Sequence, residues 1–77
     1  MDNKYSTGTV VRRGDIVSTK GGLYVVIDPA YADGLIFLAT IEAPFGYTRK
    51  VTTAECHIAI SSLREQQIAV DVLSGFP

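Results

Sequence analysis

Short apolar runs separated by glycine and proline fill the first sixty positions of the chain. Each run has the length of a β-strand, and each is shorter than the ten or more residues that a helix usually takes. The pattern predicts five antiparallel strands, with a further short strand or extended arm at Thr9–Arg12. The predicted strands are Asp15–Thr19, Leu23–Ile27, Leu35–Ile41, Tyr47–Thr52 and Cys56–Ile60.

Turn residues divide these runs. Gly21-Gly22 predicts a two-residue primed hairpin turn, because such turns need positive φ angles that glycine adopts without steric cost. Asp28-Pro29 is expected to end the second strand, since proline has no amide hydrogen for the ladder. Asp33-Gly34 predicts the next turn.

The C-terminal segment has two interpretations. Ser62-Leu63-Arg64-Glu65 matches a capping box and indicates a helix start. Ile68–Val72, however, alternates and is rich in β-branched residues, which favours a strand. We expect one helical turn near residues 61–66 followed by a strand. The alternative is a single helix over 62–74, which would make the fold α+β.

The order of these elements resembles that of SH3-like small β-barrels. Gly14-Asp15-Ile16-Val17 is similar to the opening of a barrel strand, and Ile58–Arg64 to the strand-to-turn step near the end of the barrel. The resemblance implies a mainly β fold, a five- to six-stranded antiparallel SH3-like barrel or curled sheet. It implies no single function, because this superfold serves many. Residues 1–8 are polar and are expected to form a flexible lead-in to one domain over 9–77.

Size and charge limit the class of protein. A chain of 77 residues with 47% hydrophobic residues buries a smaller share of its surface than a large one. We therefore expect some apolar surface to remain for a protein partner or for a second copy. A net charge of −1 disfavours a domain whose main task is to bind phosphate backbone. The polar N-terminus and the lack of a long apolar run predict a cytoplasmic protein that does not contact membranes.

Catalytic chemistry has little support in the sequence. Cys56-His57 pairs the only cysteine with the only histidine. Neighbours in a strand point to opposite faces, so the two side chains could not act on one atom. A metal site would also need further ligands. We predict no catalytic residue, no metal and no cofactor, and hence a protein that is not an enzyme.

The turn Pro44-Phe45-Gly46-Tyr47 is the leading candidate for a binding site. Exposed aromatic side chains on a rigid turn are efficient anchors for a protein partner; the same rings could instead fold back and cap the sheet. Our first hypothesis is a non-enzymatic binding module, of the size of many phage and mobile-element accessory proteins. It would bind another protein, or itself as a homo-oligomer, through Phe45, Tyr47 and an exposed sheet edge.

Two alternatives stay open at this point. A small-molecule site could form at an oligomer interface, since one small barrel has little room for a deep pocket. Cations interleaved with aromatic rings could also form a face that binds nucleic acid, where bases stack and phosphates are neutralised. The residues of that face would be Arg12, Arg13, Lys20, Tyr24, Arg49 and Lys50.

Overall fold

A computed structural model describes residues 2–77, so Met1 of the predicted lead-in lies outside the described residues. The chain is mainly β, a five-stranded antiparallel sheet with strand order β4-β3-β2-β1-β5 and one C-terminal helix. Strands β4 and β5 lie at opposite edges, so the sheet is open and not a closed barrel. The elements are β1 Ile16–Thr19, β2 Gly22–Ala32, β3 Leu35–Thr40, β4 Thr48–Thr52, a 3-10 turn at Thr53–Glu55, β5 His57–Ile58 and α1 Leu63–Leu73.

The first hairpin forms as predicted, with its turn one residue earlier than expected. Thr19 pairs with Gly22, so Lys20 and Gly21 occupy the centre, with φ angles of 51° and 77°. Both angles are positive, as a primed turn requires. Gly22 has a different role, because a Cβ there would lie 3.4 Å from the Glu42 carboxylate. The Glu42 carboxylate lies beside it and accepts a hydrogen bond from the Leu23 amide at 2.6 Å.

Both faces of the central strands are apolar and buried. One face is covered by the N-terminal segment, and we name it the arm face. The other is covered by α1, and we name it the helix face. The arm-face cluster is Tyr5, Val11, Val17, Tyr24, Val26, Ile36, Leu38, Val51 and Cys56. The helix-face cluster is Ile16, Val25, Ile27, Ala39, Ile41 and Ala69.

Helix α1 confirms the alternative interpretation of the C-terminal segment, and the predicted strand after residue 66 is wrong. The capping box is present: the Ser62 amide donates to Glu65 Oε1 at 2.8 Å, and the Glu65 amide donates to Ser62 Oγ at 3.1 Å. Ile68 and Val72, four residues apart, pack together on the helix face. Burial of that stripe outweighs the weak β preference of the same residues.

Strand β2 continues past Asp28-Pro29, where it was expected to end. The register with β3 shifts between Val26 and Asp28 and again between Asp28 and Ala32. The extra residues bulge out of the ladder, so proline leaves no pairing position unfilled. Asp28 Oδ1 accepts a bond from the Ala30 amide at 3.0 Å, which fixes the bulge locally.

The N-terminal segment contacts the sheet through Asn3, Tyr5 and Val11, which are buried. Asn3 is 7% exposed, and its Oδ1 accepts a bond from the Gly34 amide at 3.0 Å. Its Nδ2 lies within 3.0–3.1 Å of three carbonyl oxygens, so two of them share one hydrogen. This one amide fastens the arm to the bulge of β2 and to the β2–β3 turn. The three acceptors are Pro29, Ala32 and Leu35.

We predict that Asn3→Asp lowers the free energy of unfolding by about 2–4 kcal/mol, because a carboxylate cannot donate to the three carbonyls and adds a charge at a position that is 7% exposed. Urea unfolding followed by circular dichroism measures the change. Asp2→Asn, at the exposed neighbouring position, is the matched control and is expected to lie within about 0.5 kcal/mol of the parent. Equal stability of the two variants would contradict this role for Asn3.

Candidate binding surfaces at the two sheet edges

The aromatic turn is exposed, as the binding hypothesis requires. Phe45 is 58% and Tyr47 66% exposed. Thr40 braces the turn: its hydroxyl donates to the Pro44 carbonyl at 2.6 Å and accepts from the Tyr47 amide at 3.0 Å. The turn therefore presents its two rings on a hydrogen-bonded frame.

The two rings lead to different parts of the molecule. Phe45 lines a groove of about 540 Å³ against α1, opposite Ile68, Val72 and Phe76. Tyr47 lies outside that groove and directly precedes β4. Only Tyr47 is therefore continuous with the sheet edge.

Strand β4 has one neighbour in the sheet, β3. The Thr40 amide donates to the Tyr47 carbonyl at 2.8 Å, so the peptide groups at odd-numbered positions of this segment face β3. Because the bonds of an antiparallel pair alternate along the strand, the peptide groups of Thr48 and Lys50 point away from the sheet. The outer side of β4 thus offers an unpaired edge.

Arg49 and Lys50 lie on opposite faces of this edge. The Arg49 guanidinium carbon is 5.9 Å from the centroid of the Tyr24 ring on the arm face. Lys50 Nζ is 4.9 Å from the centroid of Tyr31, which stacks on Phe37 at 5.6 Å on the helix face. Both cations remain exposed, and each is held near an aromatic ring.

Lys20 lies at the tip of the first hairpin, away from that pair. Its Nζ is 2.6 Å from the Glu55 carboxylate. The hydrogen bond from Lys20, helped by one from the Thr52 hydroxyl, lowers the pKa of Glu55 to about 2. Lys20 is thus neutralised within the chain.

Arg13 has a structural role that the sequence did not indicate. Its guanidinium donates to the Ile27 carbonyl at 3.3 Å, to the Leu73 carbonyl at 3.4 Å and to the Phe76 carbonyl. It therefore caps the C-terminus of α1, where the helix leaves carbonyls unpaired and its dipole favours a cation. Together with the positions of Lys20, Arg49 and Lys50, this means that the six residues of the expected nucleic-acid face do not share one face.

We predict that Arg13→Met lowers the free energy of unfolding by about 1–2 kcal/mol, because the helix end loses charge-assisted hydrogen bonds. Arg12→Met is the matched control: Arg12 is also exposed and adjacent in sequence, and within residues 2–77 it is hydrogen-bonded through its backbone amide and carbonyl, both to Asp15, and not through its guanidinium. Amide exchange of α1 should accelerate in the first variant alone. Equal exchange in both variants would contradict the capping role.

The opposite edge carries the two most exposed apolar side chains of the described residues, Ile60 and Leu63, beside the exposed Ile58 and Val70. We name these four residues the β5 surface. Ile60 is fully exposed, Leu63 is 83% exposed, and Val70 and Ile58 are 59% and 53% exposed. Ile58 and Val70 line one groove of about 380 Å³ between β5 and α1. Cys56, Ile58 and Ile60 alternate along the chain, but of these only Cys56 is buried.

Strand β5 pairs with β1 on its inner side only. The Ala59 amide donates to the Ile16 carbonyl at 2.9 Å, so the peptide groups of Ile58 and Ile60 point outward. The sequence held a signal for this surface: an apolar alternating run that stops at a capping box, where the chain leaves the sheet.

Cys56 and His57 do not form a reactive pair. Cys56 is fully buried and its Sγ lies 3.6 Å from the Thr52 carbonyl, whereas His57 is exposed. Burial raises the pKa of the Cys56 thiol. Between residues 2 and 77, no three His, Cys, Asp or Glu side chains are grouped to hold a metal ion.

We predict that Cys56 in the folded protein reacts with Ellman's reagent at least about a hundredfold more slowly than in urea, because reaction requires opening of the core. The raised pKa also has a consequence for stability. Above the ordinary value of 9.0 the unfolded chain loses a proton that the folded chain keeps, so stability falls as pH rises. When the pH is raised from about 8 to 10, the free energy of unfolding should therefore fall less in the Cys56→Ala variant than in the parent. Rapid labelling of the native thiol would contradict its burial.

Comparison of the chain with protein families, with curated proteins and with solved structures finds no match. Within residues 2–77, the helical segments are too short and too polar to span a membrane.

Proposed function

We propose that this protein is a non-enzymatic protein-binding module that pairs with a second copy of itself through the β5 surface. The observation that supports this most directly is the exposure of Ile60 and Leu63 beside an unpaired strand edge. Contiguous exposed apolar residues on a small domain are typical of an interaction site. Burial of such residues against a partner is the main favourable contribution to association.

A second copy fits this edge because pairing is free of charge repulsion. If two β5 edges meet about a two-fold axis at Ala59, Ile58 of one chain lies opposite Ile60 of the other, and the reverse. The outward peptide groups of both residues then bond across the axis. The same pairing of two β4 edges about Arg49 would place that arginine opposite its own copy, which is unfavourable.

Helix α1 extends the surface beyond the strand. Leu63 and Val70 are seven residues apart, so they lie on one side of the helix, two turns from each other. Ala69 and Leu73 line the same groove beside β5. A copy seated on β5 would therefore contact both an edge strand and an apolar helix stripe, which enlarges the buried area.

We predict that Ile60→Ser combined with Leu63→Ser weakens self-association at least about tenfold, since two exposed apolar side chains no longer leave water on pairing. Sedimentation velocity over a range of concentrations measures the effect. The melting temperature should hardly change, because neither side chain is in the core.

Phe45→Ala combined with Tyr47→Ala is the matched control at the opposite edge and is expected to leave self-association unchanged. If this pair abolishes association while the Ile60 and Leu63 changes do not, the copies meet through the aromatic turn, and the proposed surface is wrong. A monomeric parent at millimolar concentration would also overturn the proposal.

A further inference from the structure

We infer that the β4 edge binds an extended acidic segment of a partner protein by strand addition. The inference rests on the backbone and charges of β4 and is independent of the proposed pairing through β5. The two surfaces lie at opposite edges of the sheet, so one molecule can use both at once.

The outer side of β4 has backbone groups to which an added strand can bond. Strand β4 is five residues long, with the outward peptide groups of Thr48 and Lys50 unpaired by any other strand of the described chain. An added strand would bond to these groups, and such main-chain bonds give affinity without requiring a particular sequence. Side chains of the added strand then determine which segment is preferred.

The two cations of β4, Arg49 and Lys50, are free to pair with acidic side chains. Among the described residues, the ion pair within 4 Å is Lys20–Glu55, so the cations of β4 have no carboxylate partner. Arg49 and Lys50 are neighbours in the strand and point to opposite faces. Directly opposite residues of an added strand share their faces, so two consecutive acidic residues would meet both cations.

Tyr47 adds an apolar contact next to the two cations. By the alternation of the strand it lies on the same face as Arg49, and it is 66% exposed. In an antiparallel addition, a partner residue opposite Tyr47 lies two positions after the one opposite Arg49. The preferred segment, read from its N-terminus, is therefore acidic, acidic, any residue, apolar.

The geometry favours a peptide over a nucleic acid. An extended peptide projects side chains to both faces of the sheet and so reaches both Arg49 and Lys50. A single phosphate backbone follows one surface, and on either face it would meet one of the two cations. The net charge of −1 further disfavours binding to a polyanion of uniform charge.

The test uses the Ile60→Ser variant as background, so that failure of self-association does not affect the result. A fluorescent peptide Thr-Glu-Glu-Thr-Val-Thr is titrated with the protein by anisotropy, beside a peptide with Lys-Lys in place of Glu-Glu. We expect the acidic peptide to bind and Lys50→Glu to weaken it at least about tenfold, because attraction becomes repulsion. The Lys-Lys peptide should bind the Lys50→Glu variant better than it binds the background protein.

Two further variants separate charge from backbone. Lys4→Glu makes the same charge change at an exposed position outside the five strands and should alter binding by less than about twofold. Thr48→Pro removes an outward amide hydrogen and should weaken binding of the acidic peptide, although the charge of the protein does not change.

Three results would overturn the inference. Equal effects of Lys4→Glu and Lys50→Glu would show that only net charge matters. Equal affinity for the Glu-Glu and Lys-Lys peptides would show that the edge does not select charge. Tighter binding of single-stranded oligothymidylate than of the acidic peptide would assign these cations to nucleic acid.

Discussion

Both faces of the central strands are apolar, and in the described residues each face is covered by one short segment. The arm face is covered by the segment around Tyr5 and Val11, and the helix face by α1. Each cover is short, so it needs a polar fastening as well as apolar contact. Asn3 fastens the first by hydrogen bonds to the β2–β3 region, and Arg13 fastens the second by bonds to the end of the helix. The whole architecture depends on these two covers staying in place.

Within residues 2–77, no further strand pairs with β4 or β5, which form the two edges of the sheet. Proteins usually protect such edges with charges, bulges or covering loops. Here β4 carries Arg49 and Lys50, whereas β5 is a two-residue strand followed by exposed Ile60 and Leu63. The two edges therefore differ in chemistry. On this basis we propose an acidic strand as the partner of the cationic edge and a second copy as the partner of the apolar edge.

Local sequence signals predicted the elements better than their placement. The strand runs, the Asp33-Gly34 turn and the capping box at Ser62 all appear in the structure, because each depends on a few neighbouring residues. The length of the helix after Ser62 was not predicted. Its β-branched residues favour a strand locally, and a helix is preferred only because it buries the apolar helix face of the sheet.

Local sequence patterns do not predict contacts between residues that are far apart in the chain. The bonds of Asn3 span 26 to 32 residues and those of Arg13 up to 63. No neighbouring residue in the sequence indicates a structural role for either side chain. Phe45 and Tyr47 are exposed, which is one of the two arrangements that their turn left open. The exposure of Ile60 was not predicted, because an alternating apolar run is equally compatible with a buried strand.

The central claim is that the two edges are separate binding surfaces of different chemistry. Residue-resolved amide exchange by NMR, on the same protein at low and high concentration and then with an acidic peptide, tests it most directly. The account predicts that Ile58 and Ile60 gain protection with concentration alone, while Thr48 and Lys50 exchange freely until the peptide is added. Protection of Thr48 and Lys50 by concentration, with Ile58 and Ile60 unchanged, would contradict it.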